Sequence, residues 1–390
     1  MIIEPAERLQ VVQEYYFSKK LKEIKTLNDK GKDIINLGIG SPDLPPSKAT
    51  ISELTKTALS PSSHGYQSYV GIPELRKAIA NWVNTAYGYQ LDPATEVLPL
   101  MGSKEGIMHI SLAFLNKGDK VLVPNPGYPT YQSVSNLVQA EIVTYDLSED
   151  KGWNIDLDQL KAMNLDAIKL MWINFPNMPT GASPEKAILE ELIGLALKHQ
   201  FLIINDNPYS TILTQELFSI FQLNDAEKVC LELNSLSKSH NMAGWRVGWI
   251  SGNEDYLQTV LKVKSNMDSG MFLGIQKAAV EALQNSSNWH QQLNEQYAKR
   301  KELIGKIYEY LGITFDPKSS GLFVWGKIPE TISSVEKMVD EILYQAGVFI
   351  TPGFIFGSNG ERFIRASLCA DESTIERAFE RIKKASLNFN

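Results

Sequence analysis

Between residues 94 and 252 the chain alternates short, almost unbroken apolar runs with stretches of helical spacing. Val121-Leu122-Val123, Ile142-Val143-Thr144, residues 168–173, 201–204 and 229–233 read as strands. A run that is apolar at every position suits a strand covered on both faces, as in a mostly parallel sheet. Ser183-Pro184 supplies an N-cap and a first-turn proline, and Ile188, Leu192 and Leu195 mark one face of the helix expected to follow. The alternation predicts an α/β domain with helices on both sides of its sheet.

After Asp268 the texture changes. Residues 276–283 and 290–311 carry helical spacing, and 322–325, 348–350 and 362–365 read as strands of a smaller α+β region. A Gly/Pro-rich extended segment, 31–46, leads into the larger unit. The expected division is a large domain over 47–275 and a small one built from both termini, 1–46 and 276–390.

Composition narrows the class. The chain has 390 residues, 43% hydrophobic and 21% charged, as a soluble globular protein would. With 38 basic against 45 acidic residues the net charge is −7, which argues against nucleic acid as a partner. No run reaches the roughly 18 apolar residues of a membrane span, and the first 20 residues lack a signal-peptide core. Cys230 and Cys369 form no disulfide framework, so a reducing, cytoplasmic setting is expected. The five histidines show no ligand pairing, and no metal site is expected.

Candidate chemistry centres on Lys238, in Ser235-Leu236-Ser237-Lys238-Ser239, with Arg246 eight positions on. A buried lysine tends to lose its proton, and an unprotonated amine is what Schiff-base chemistry requires. Ser235 and Arg246 could flank it as phosphate ligands. Asp206 follows the apolar run 201–204, at a strand's C-terminal end, the edge where open α/β sheets bind ligands. Gly102-Ser103-Lys104 opens a helix after another strand, and free N–H groups there form an anion site. Tyr128, after Pro126-Gly127, offers a ring to a flat heterocycle, and Phe175-Pro176-Asn177-Met178-Pro179-Thr180-Gly181 is a proline-stiffened turn. Each feature alone has an ordinary structural reading: exposed lysine, helix cap, helix start or turn. Together they match pyridoxal 5′-phosphate, which needs an amine for its aldehyde, an acid for its ring nitrogen and donors for its phosphate.

With these strings in order, and with Gly38-Ile39-Gly40-Ser41-Pro42-Asp43, Gly65-Tyr66 and Gly71-Ile72-Pro73-Glu74-Leu75-Arg76, the chain resembles the class I/II, fold-type I aminotransferases over nearly all its length. The resemblance implies a seven-stranded, mostly parallel sheet and a homodimer with shared sites. It implies that Lys238 is the Schiff-base lysine, Asp206 the ring-nitrogen partner and Tyr209 a hydrogen-bond donor to the cofactor's phenolic oxygen. Tyr128 and the turn at Asn177 and Met178 would contact the ring, while Gly102, Ser103, Lys104, Ser235, Arg246 and a partner's Tyr66 would surround the phosphate. Arg365, in preference to Arg362, would hold the substrate α-carboxylate with the Gly40 backbone. The implied reaction is a ping-pong exchange between an L-amino acid and a 2-oxo acid.

Met178 departs from the family, which usually has asparagine before Pro-Thr-Gly; methionine has no donor for the phenolic oxygen. The strings around Lys104, Asp268 and Asn241 look most like the branch holding LL-diaminopimelate and aspartate-type enzymes, but Tyr69 and Val70 stand where a glutamate is expected before Gly71. A PLP-dependent C–S lyase shares the cofactor residues. A ligand-sensing regulator built on the same fold is the third reading.

Overall fold

In the computed structural model, which describes residues 3–10 and 16–389, seven strands make one sheet. Their spatial order is Val97–Leu100, Gly248–Gly252, Cys230–Ser235, Leu202–Asp206, Ile168–Ile173, Lys120–Asn125 and Glu141–Asp146. Only Gly248–Gly252 runs antiparallel to its neighbours. The apolar runs have the predicted cause. Val121, Val123, Leu170, Trp172 and Ile204 face one buried cluster, and Leu122, Met171, Ile173 and Ile203 face another on the opposite side. Alternate side chains therefore enter two different cores, and no polar face is left to break the run.

Because six strands share one direction, the C-terminal ends of Val97–Leu100, Ile168–Ile173, Leu202–Asp206 and Cys230–Ser235 lie along one edge. The residues just past that edge are those carrying the candidate chemistry. Helix Ser103–Phe114 returns across the sheet, with Gly106 buried against it. A Cβ there would lie 2.6 Å from both Leu100 Cδ1 and Leu233 Cδ2.

The remaining strands form two small sheets. Phe323–Lys327 and Phe363–Ser367 pair antiparallel at the centre of a four-stranded sheet, whose edges are Thr314–Phe315 and Thr351–Pro352. The expected strand at 348–350 divides: Val348–Phe349 pairs parallel with Ile35–Asn36, and the following residues join the four-stranded sheet. That pairing brings Ile35 and Leu37 of the N-terminal segment into a core formed mainly by residues 293–387, with Met178, Tyr209 and Ile212. A bidentate bond from buried Arg300, on helix Ser287–Tyr310, to Asp43 at 2.7 and 3.0 Å fastens the same segment further along.

Three details differ from the sequence reading. Ser183 does not cap a helix: the helix is Lys186–His199, begun at Glu185, and its buried face is Leu189, Leu192, Ile193 and Ala196. Ser320 N–H bonds the Gly181 carbonyl at 2.7 Å, which holds the chain extended past Ser183. The helix expected at 276–283 begins earlier, as Leu273–Ala282, and packs against Lys48–Ala58 and Pro73–Tyr87. A division at 275/276 thus falls inside an unbroken helix that belongs with the large sheet. Among the described residues no helix is long and apolar enough to cross a membrane.

The contact at Gly106 gives a test in which two effects compete. Alanine favours a helix over glycine by about 1 kcal/mol, but Leu100 and Leu233 are fully buried and cannot swing away from a new methyl. Gly106→Ala is expected to lose about 1 kcal/mol net in urea unfolding; a gain in stability would show that the helix can move off the sheet.

Candidate active site

A cavity of about 560 Å³ opens at the C-terminal edge of the large sheet, walled on its other side by Gly40 and by Phe323 and Arg365 of the four-stranded sheet. Lys238, Asp206, Tyr209, Tyr128, Ser235 and Arg246 line it, as do Gly40, Ser103, Lys104, Met178 and Arg365. Gly102, Asn177 and Tyr66 do not.

Lys238 lies in a short helix, Leu236–Ser239, begun by Ser235, whose Oγ accepts the Ser237 N–H at 3.1 Å. Its amine donates to the Gly40 carbonyl. Burial lowers the Lys238 pKa, and the Arg365 and Arg246 cations lower it further. Asp206, the last residue of its strand, is 5% exposed. Tyr131 donates to its Oδ2 at 2.8 Å, while Oδ1 is buried with no hydrogen-bond partner. Burial pushes the carboxyl up to about 6 against the opposing Tyr131 bond. Burial also raises the Tyr209 phenol well above its ordinary value, so that hydroxyl stays protonated.

At one end of the cavity, helix Ser103–Phe114 starts without a side-chain cap, which leaves first-turn N–H groups for an anion. Gly102 supports this from outside the wall. Its φ is 90°, and a Cβ there would lie 2.1 Å from Arg246 Nη2, so glycine alone lets the guanidinium sit against the turn. Arg246 itself is held by the Ala243 carbonyl at 2.9 Å.

At the other end Arg365 reaches in from strand Phe363–Ser367. Its guanidinium lies 3.8 Å from the Phe323 ring centre and 4.6 Å from that of Phe356, and Nη2 donates to the Gly38 carbonyl at 3.0 Å. Nη1 stands 3.2 Å from the Met178 sulfur. Arg362 faces elsewhere, donating to the carbonyls of Ile332 and, at 2.7 Å, Pro329.

The turn at 175–181 is divided between two tasks. Asn177 points into the turn, where its Oδ1 accepts the Thr180 hydroxyl at 2.8 Å. Asn174 lines the cavity instead, accepting the Met178 N–H at 2.7 Å and donating to the Asp206 carbonyl. Neither Asn174 nor Tyr131 was singled out from the sequence. The pair Tyr128 and Tyr131 stands three apart in helical spacing, which was the available signal for the latter. Phe17 and Ile355, also in the wall, carried none. Tyr66 is 93% exposed on the outside of the chain.

Beyond the cavity, Glu105, His109 and Asp268 bring ligand atoms within 4.8 Å of one another. Lys264 Nζ is already 2.9 Å from Asp268, so an ammonium serves there as the cation.

Residues 32–382 match the family model described as aminotransferase class I and II. The chain is similar to an LL-diaminopimelate aminotransferase of Nitratidesulfovibrio vulgaris, 38% identical over 380 residues, 97% of this chain and 98% of that protein. It is 37% identical over 388 residues to the one from Aquifex aeolicus, covering 99% and 100% of the two chains. Among solved structures, apo-BacF from Bacillus subtilis superposes with a TM-score of 0.95 at 35% identity, covering 100% of both chains.

The raised carboxyl of Asp206 fixes the sign of a stability test. Its folded value, about 6, exceeds the unfolded one, so the folded state binds the extra proton between the two, and the buried charge destabilises the folded protein increasingly as pH rises from about 4, in full above about pH 6. Asp206→Asn should therefore raise the melting temperature of that protein at pH 8, by up to about 3 kcal/mol of stability. The gain should vanish as pH falls toward 4, and a gain independent of pH would rule out Asp206 as its source.

Proposed function

This chain belongs to the class I and II aminotransferase family and is an aminotransferase; we propose that pyridoxal 5′-phosphate, held around Lys238, is its cofactor. The observation that carries the reading is a buried carboxylate oxygen, Asp206 Oδ1, with no partner, in the same cavity as a half-buried amine of lowered pKa. A protonated ring nitrogen supplies the missing donor. When bound, the cofactor supplies an aldehyde for an amine and a ring that draws electrons from the reacting carbon.

The chain's own residues then divide the work. Asp206 keeps the proton on the ring nitrogen. Lys238 Nζ, which holds its own proton weakly, removes the proton from the substrate α-carbon and returns it on the acceptor side. Tyr209 and Tyr128 line the same cavity, where the Tyr209 hydroxyl would donate to the cofactor's phenolic oxygen and the Tyr128 ring would face the heterocycle. Ser103 and Lys104 N–H groups, Ser235 Oγ and the Arg246 fork would hold the phosphate. Arg365 pairs with the α-carboxylate beside Gly40, and the sandwich between Phe323 and Phe356 keeps its fork in one plane. Lys104, Phe17 and Ile355 remain for the substrate's distal group. LL-diaminopimelate, the compound in the relatives' name, is thus the first donor to test. The exposed Tyr66 completes the phosphate site of a second subunit, so the working unit is a homodimer. Two unpaired thiols, Cys230 and Cys369, favour a reducing, cytoplasmic setting.

Lys238→Ala should retain cofactor binding through the phosphate and ring contacts but lose both turnover and the borohydride-reducible link to protein. Mixed with Tyr66→Ala chains, once subunit exchange is verified, it should regain activity from hybrid dimers with one intact site. Full turnover by the lysine variant alone would end the reading, and silence of the verified hybrids would end the shared site.

Arg365→Lys keeps the charge but not the fork, and is expected to lower kcat/KM about 30-fold or more, near 2 kcal/mol, with cofactor affinity little changed. Arg362→Lys should change kcat/KM far less, because that side chain holds backbone carbonyls outside the cavity. The reverse ranking would move the carboxylate site to Arg362.

A further inference from the structure

We infer that Tyr131 is a positioning residue for the reaction: its hydroxyl occupies one oxygen of Asp206 and so commits the other to the cofactor's ring nitrogen. The inference rests on the cofactor reading above and adds a residue to it. Tyr131 is fully buried in helix Thr130–Leu137. Its ring stacks on Trp172 with centres 5.1 Å apart and planes 5° from parallel, and meets Tyr128 edge-on at 5.6 Å. Those two contacts leave the phenol little freedom, and its O–H reaches Asp206 Oδ2 at 2.8 Å. The Asp206 backbone is held as well, since Asn174 donates to its carbonyl. A carboxylate fixed at its backbone and at one oxygen can present only the other, and Oδ1 is the oxygen without a partner.

A hydroxyl here differs from a packing ring because it also acts on charge. Burial raises the Tyr131 phenol well above its ordinary value, so it donates at every working pH. Its bond opposes the burial that lifts Asp206, and without it the carboxyl would climb beyond about 6. The titratable groups facing Asp206 from the surrounding elements are Tyr128, Tyr131 and Tyr209, and Lys238, Arg246 and Arg365 share the cavity. The three phenols are all raised by burial and stay neutral, so the carboxyl is the group among them that titrates near neutrality.

Tyr131→Phe removes the oxygen and keeps the stacked ring. The dissociation constant of pyridoxal 5′-phosphate would be measured by tryptophan quenching for wild type and variant from about pH 8.5 down to about pH 6, with apo-protein melting temperatures alongside. Titration of the phosphate is common to both proteins and cancels in the ratio of the constants. Since the variant's Asp206 takes its proton at higher pH, that ratio should grow by roughly tenfold as pH falls across this range. Trp172→Phe, which loosens the stack and spares the hydroxyl, should lower the melting temperature while its ratio stays flat. A flat ratio for Tyr131→Phe, with or without a lowered melting temperature, would overturn the inference and leave Tyr131 as packing. Failure of the wild-type protein to bind the cofactor would instead overturn the reading on which it rests.

Discussion

A carboxylate taken out of water at the end of a central strand, with no cation beside it among the described residues, is the constraint around which this cavity is arranged. Asp206 ends its strand between two others: it pairs with Leu233 on one side, and on the other the strand stops at Ile173, opposite Asn205. An isolated buried charge is costly, and the folded chain meets that cost only in part, through one phenol on one oxygen. The remaining oxygen is a standing demand for a donor. Any ligand that brings a positively charged N–H to that point would supply the donor that Asp206 Oδ1 lacks, which is the basis of the proposed cofactor's placement.

Lys238 presents the complementary situation. Burial disfavours its charged form, and the two nearby arginines reinforce this. The pair is thus kept in opposite conditions inside one cavity, an acid reluctant to ionise and an amine reluctant to take a proton. Each is shifted chiefly by loss of water and not by the other. Loss of water thus moves the two groups toward each other from opposite ends of the pH scale, the carboxyl upward and the amine downward.

The far wall comes from the four-stranded sheet and the segment around Gly40, and its placement depends on contacts remote in sequence. Ile35 pairs with Val348, Arg300 holds Asp43, and Arg365 donates to Gly38. These bonds carry the segment containing Gly40 across to Lys238. The aromatic faces of Phe323 and Phe356 fix Arg365 in a plane, which a flexible cation on an open loop would not keep.

Much of this could be read from the residue order. Runs such as residues 168–173 were legible as two-sided strands because burial on both faces leaves an unbroken apolar signature, and Asp206 was legible as a sheet-edge residue because it follows such a run. Lys238, Ser235 and Arg246 stood out because local spacing places them together. What the sequence did not carry was the choice among similar residues. Asn174 and Asn177 are chemically identical, and only the turn's hydrogen bonds send one into the cavity and the other into the turn. Between Arg362 and Arg365 the family resemblance favoured the latter, but the physical reason lies in the fold, where strand alternation together with the Phe323 and Phe356 rings turns the Arg365 guanidinium inward. Tyr131 acquires its partner 75 residues away. Periodicity and local chemistry are properties of neighbouring residues and survive in the sequence, whereas the aim of a side chain is set by packing between distant segments, and that the tertiary structure alone decided.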